Sequence, residues 1–183
     1  MYKQSKTKPF FQPDYDVNDK RARDAAERML TKLGHTIIKN EEDYSVDITS
    51  TCNGKKWHTE AEVKVIWENK WPTVWRDVHV LYRKGKLLGI DNLVFLLFSD
   101  NLEYAVAVKK EKVVQAPQEE VSNRINPSGE FMYIVPLKDA SLYSIDKLTG
   151  GVHREEFPKD KNFSKTVDDI DPWFGGNGTY IDK

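Results

Sequence analysis

A chain of 183 residues that is 39% hydrophobic and 31% charged is long enough to bury a core and suits one domain with appendages. Its net charge of −1 argues against nucleic-acid binding through bulk charge, and its single cysteine, Cys52, excludes an intrachain disulfide and suits a reducing compartment. The longest apolar run, Leu93 to Phe98, is too short for a membrane-crossing helix, and residues 1–6 lack the apolar stretch of a signal peptide, so a cytoplasmic, intracellular protein with no membrane partner is expected.

Residues 1–15, with Pro9 and Pro13 on either side of Phe10 and Phe11, read as an extended arm. Asp16 is a good N-cap, and Ala22, Ala26, Met29, Leu30 and Leu33 then form an apolar stripe at helical spacing that Gly34 ends. Glu27 lies at the flank of that stripe. Thr36 to Ile38 reads as a short strand, and Tyr44 to Thr49 as a second, with Asp47 among strand formers. Asn53-Gly54 is a strong hairpin signal and leads into a third strand, Thr59 to Ile66. There Ala61, Val63 and Val65 face one way and Glu60, Glu62, Lys64 and Ile66 the other. After a turn at 67–71, Pro72 suits a helix start, and Val74, Trp75, Val78, Leu81 and Tyr82 follow helical spacing, although Val78 to Tyr82 also reads as a strand. Leu93 to Phe98 is a buried strand with Glu103 to Lys109 as its partner. Phe131 to Leu137 is another strand, and Ser141 to Leu148 a short helix or turn. The expected domain therefore covers residues 16–149. Residues 150–183 read as a polar, Gly-rich, acidic tail outside the fold, whose Trp173 and Phe174 are suited to docking on a protein partner.

The charge is unevenly placed. Residues 52–90 carry 8 basic and 4 acidic groups, while residues 91–183 carry 11 and 16. The basic block contains Glu62 and Lys64, and it is where a phosphate backbone would sit. A hairpin at Asn53-Gly54 brings Asp47 close to Glu62 and Lys64; two carboxylates and an ammonium on one sheet face suit a divalent cation and a polarised water. A second acid-x-Lys triplet, Glu68-Asn69-Lys70, lies beside Trp71-Pro72 in a turn and is set aside. Cys52 and His58 lack a second pair at zinc-ligand spacing.

These pieces resemble the PD-(D/E)XK nuclease superfamily, the restriction-endonuclease-like fold, and within it the archaeal Holliday-junction resolvases. The residues that carry the resemblance are Ala26-Glu27-Arg28, Val46-Asp47 and Glu62-Val63-Lys64-Val65, over about residues 20–110. Val46 stands where the superfamily motif has proline, and the helix after Glu27 is about one turn shorter than in the resolvases. The resemblance implies an α/β fold, a mixed central sheet flanked by helices in the order α-β-β-β-α-β, with a C-terminal extension. It also implies a Mg²⁺-dependent (or Mn²⁺-dependent) endonuclease acting on DNA, with branched or junction DNA as a substrate and a homodimer as the acting unit.

On that reading Asp47 and Glu62 ligate the metal, the carbonyl of Val63 joins them by resemblance, and Lys64 stabilises the attacking hydroxide or the charge developing on phosphorus. Glu27 completes the site; Glu60 shares the face but lies past the metal. Trp67, Lys70, Arg76, Arg83, Lys84 and Lys86 mix aromatics and cations as a DNA-binding set. Core packing of Trp67, Trp71 and Trp75 is the bland alternative to that set. The alternative function is a non-catalytic nucleic-acid-binding or assembly factor that keeps the fold.

Overall fold

A computed structural model describes residues 12–40, 45–122 and 129–159. Helix α1 spans Gln12–Lys32, so it begins four residues before the expected cap at Asp16. Pro13 does not prevent this, because the first turn of a helix needs no N–H from that residue. Residues 1–11 of the expected arm lie outside the described residues. Gly34 ends the helix as expected: its φ is +87°, and the N–H of His35 returns to the carbonyl of Leu30 at 2.9 Å.

Strands β1 (Thr36–Asn40), β2 (Ile48–Cys52) and β3 (Lys55–Lys64) follow. The β2–β3 hairpin turns on Asn53 and Gly54, both at positive φ (50° and 72°), the signature of a tight two-residue hairpin. Next, β4 (Asp77–Leu81) is a strand where a helix was expected. Val78 and Val80 are buried and pair opposite Val135 and Tyr133 of a later strand, so the period-2 pattern of β-branched residues prevails over the helical spacing. A 3₁₀ helix, Tyr82–Leu87, leads to β5 (Leu93–Ser99), which is buried along its whole length. The expected α-β-β-β-α-β order is therefore corrected: the crossover from β3 to its parallel neighbour β5 runs through a strand and a 3₁₀ helix.

Strand β6 (Tyr104–Lys109), helix α2 (Lys110–Gln115) and strands β7 (Gln118–Val121), β8 (Glu130–Pro136), β9 (Ser141–Ile145) and β10 (Val152–Glu155) complete the described chain. The β9 strand replaces the expected helix or turn. Its buried Ser141, Leu142 and Tyr143 pack between β6 and β10, and that pairing outweighs the local signal. Nor does the fold stop at 149. β10 extends the large sheet, and Phe157 is buried against Trp71 with ring centroids 5.1 Å apart. Residues 160–183, including Trp173 and Phe174, lie outside the described residues.

The architecture is α/β, with a mixed seven-stranded sheet in the order β1-β2-β3-β5-β6-β9-β10 and a three-stranded sheet β4-β8-β7. Helix α1 covers one face of the large sheet: Ala22, Ala26, Met29 and Leu30 pack on Ala61, Val63, Leu96 and Phe98. The small sheet covers the other, where Val78, Val80 and Val135 meet Phe95, Leu97 and Trp67. No helix among the described residues is long and apolar enough to cross a membrane.

Candidate functional site

β3 sorts its own side chains. Ala61 and Val63 enter the core beneath α1, and their neighbours Glu60, Glu62 and Lys64 face the other way, beside Phe95, Leu97 and Ser99 of β5. Lys64 donates to Glu62 Oε1 at 2.9 Å. Asp47 sits at a bend just before β2, and its Oδ2 accepts the N–H of Ala61 at 2.7 Å. The carboxylate thus caps the hairpin ladder one step beyond its last pair, Ile48 opposite Thr59, where it comes level with Glu60. Peptide groups alternate sides along a strand, so the Val63 carbonyl leaves β3 on the side to which the Ala61 N–H points, toward Asp47.

A second lysine enters from the 3₁₀ helix. Lys84 makes an ion pair with Glu60, whose exposure is only 7%. Gly85 makes this approach feasible, since a Cβ there would fall 2.6 Å from the Tyr133 hydroxyl, and the stacked rings of Tyr82 and Tyr133 hold the turn against β8. Burial would lower the Lys84 pKa, but the charges of Glu60, Glu62 and Asp47 outweigh it and hold the ammonium above its ordinary range. For Glu62, burial pushes upward and is overcome by Lys64, then Lys84 and Arg83, so the carboxyl stays below its ordinary range. Asp47 goes the other way. Burial, then the neighbouring charge of Glu60, raise it to about 7 against the Ala61 N–H and Lys84, and Asp19 of α1 adds to the rise.

Lys84 is the group these acids share: Glu60, Glu62 and Asp47 all act on it, while Glu62 is paired with Lys64 and Asp47 is held by the Ala61 N–H. Glu27 is not drawn in. α1 lies on the opposite face of the sheet, and Glu27 accepts from Asn40 at the end of β1. The α1 acid that acts on Asp47 is Asp19, two turns earlier and paired with Arg23 at 2.9 Å. Lys84, expected among the DNA-binding cations, instead pairs with Glu60, and that pairing could be found only through the crossover, which sequence spacing assigned to a helix.

The expected DNA-binding set divides. Trp67 is 1% exposed and packed in the core, so it is corrected from a stacking residue to a structural one; Trp71 is buried beside it. Arg83 and Lys86 are exposed on the 3₁₀ helix next to the site, and Lys70 is exposed in the bend that also holds Glu68 and Asn69. Arg76 lines, with Lys64, Ile66 and the half-buried Trp75, a cleft of about 410 Å³ whose one acid is Asp77. If DNA is the ligand, replacing Arg83 and Lys86 together with alanine should weaken its binding and reduce the slope of log K against log salt by about 1–2, since each lost phosphate contact removes counterion release. Unchanged affinity and slope in a filter-binding series would put the DNA elsewhere.

As a cation site the cluster offers hard carboxylate oxygens, and Glu60 Oε2 is buried with no hydrogen-bond partner among the described residues. That donor chemistry fits Mg²⁺ or Mn²⁺. As the side chains stand, no group of three His, Cys, Asp or Glu among the described residues forms a ready-made cation site; lysines balance the glutamates instead. Compared with protein families, curated proteins and solved structures, the chain matches none.

Proposed function

We propose that the chain is a metal-dependent endonuclease with a restriction-endonuclease-like core, hydrolysing phosphodiester bonds in DNA, with branched or junction DNA as the substrate the resemblance implies. The observation that supports this reading is that Glu60, Glu62 and Asp47 all act on Lys84, with Glu62 paired to Lys64 and Asp47 held by the Ala61 N–H at the end of the β2–β3 ladder. Asp47, Glu62 and the Val63 carbonyl would hold Mg²⁺ or Mn²⁺. Bound there, the ion supplies Lewis-acid polarisation of the phosphate and an acidified water. The chain's own residues do the rest. The Ala61 N–H fixes Asp47 Oδ2 and leaves Oδ1 for the site. Lys64 orients Glu62 and presents an ammonium to the charge that develops on the phosphoryl oxygens. Arg83 and Lys86 offer exposed cations to the flanking phosphates.

The competing reading is a binding or assembly factor that keeps the fold without turnover. It is favoured by the ion pairs that already neutralise Glu60 and Glu62. Alanine variants separate the two. For a nuclease, Asp47→Ala, Glu62→Ala and Lys64→Ala each abolish Mg²⁺-dependent cleavage and retain DNA binding. A binding factor shows no cleavage to lose, and the same variants change affinity alone.

A further inference from the structure

The motif does not account for Glu60 and Lys84. Glu60 is one of the few charged side chains inside this fold, with 7% of its surface exposed. One of its oxygens takes the Lys84 ammonium; the other, Oε2, is buried with no partner among the described residues. A buried carboxylate oxygen left without a donor is costly, so the position calls for a positive or donating group. Asp47 is the nearest acid in register, one step beyond Ile48 opposite Thr59, and its Oδ2 is already held by the Ala61 N–H. Lys84 is the only cation of the 3₁₀ helix drawn inward; Arg83 and Lys86 on either side are exposed.

We infer that Glu60 adds a carboxylate to the divalent-cation site proposed at Asp47, Glu62 and the Val63 carbonyl, and that Lys84 is a tethered counter-ion which competes with the cation for it. The inference deepens the proposed function and rests on the same site, but it concerns cation binding and not turnover. A flexible ammonium balances the carboxylates while no divalent ion is present. A divalent ion with hard-oxygen preference satisfies Oε2 as well and frees Lys84 to turn outward beside Arg83 and Lys86, toward a phosphate.

The test is Mn²⁺ binding to the full chain by calorimetry, without DNA. Removing the competing charge by Lys84→Met should tighten Mn²⁺ binding about tenfold or more, and Glu60→Gln, which keeps the shape and removes the charge, should weaken it by about the same factor. Mn²⁺ should also raise the melting temperature of Lys84→Met more than that of the parent. Should Lys84→Met fail to fold with Glu60 left uncompensated, the Glu60→Gln result decides. Unchanged affinity in Glu60→Gln, or weaker binding in a folded Lys84→Met, overturns the inference. So does Mn²⁺ binding by neither parent nor Lys84→Met, which would leave Oε2 to water. Plasmid nicking is scored separately: Mn²⁺ bound as described without nicking keeps this site and removes the nuclease reading, and nicking with unaltered Mn²⁺ affinity in both variants does the reverse.

Discussion

Trp67→Ala is expected to lower the stability of the fold by about 3–5 kcal/mol, the cost of truncating a fully buried aromatic side chain. Trp67 stands 5.2 Å from Trp71 in an edge-to-face contact, and Trp71 continues the same geometry to Trp75 at 5.3 Å and to Phe157. These rings fill the space between the large sheet and β4, beside Val78 and Leu97. Truncation leaves a cavity that neighbours from three different elements line, and such a site collapses poorly. Urea unfolding should show a lower midpoint with little change in slope, and DNA affinity measured where the variant is folded should not change. A normal midpoint with lost DNA binding would return Trp67 to the stacking role that the sequence suggests.

Asp47→Asn is expected to stabilise the protein at pH 8, by about 2 kcal/mol once solvent screening of a half-buried group is allowed for. The folded Asp47 titrates at about 7 against an ordinary 3.8, because burial and Glu60 oppose its charge. A raised carboxyl binds its proton more tightly in the folded state. The penalty is therefore absent below the unfolded value, grows between about pH 4 and 7, and is complete above 7. Asparagine keeps an oxygen to accept the Ala61 N–H and removes the charge. His35, which burial lowers to about 4, works with the opposite sign: its contribution is present above its ordinary 6.5 and is lost as pH falls. The difference between parent and variant cancels it. Melting curves for the two proteins should converge near pH 4 and separate toward pH 8. A variant less stable than the parent at pH 8 would mean that Asp47 is held as a favourable anion.

Much of the hairpin was legible. Asn53-Gly54 fixes the turn, the turn fixes the register, and the period of two then assigns Ala61 and Val63 to the core beneath α1 and Glu62 and Lys64 to the opposite face. The crossover was not legible. Val74, Trp75, Val78 and Leu81 satisfy a helical stripe as well as a strand, and the pairing of β4 with β8, more than fifty residues later, settles the matter. That error hid the pairing of Lys84 with Glu60, which depends on the 3₁₀ helix that follows β4. Glu27 carries the Ala-Glu-Arg context, but in the fold it accepts from Asn40, and Asp19 is the α1 acid that acts on Asp47. β9 and β10 were missed because their short sequences carry little pattern of their own and are fixed by strand partners on the large sheet.

The most direct test of the central claim is nicking of supercoiled plasmid and cutting of a four-way junction by the purified full chain, with Mg²⁺ or Mn²⁺ and in parallel with EDTA. A metal-dependent nuclease cuts one or both substrates with the metal, stops in EDTA, and is silenced by Glu62→Gln in a protein that still binds DNA. DNA binding without cleavage under any of these metal conditions, in a protein that calorimetry shows to be folded, would contradict it.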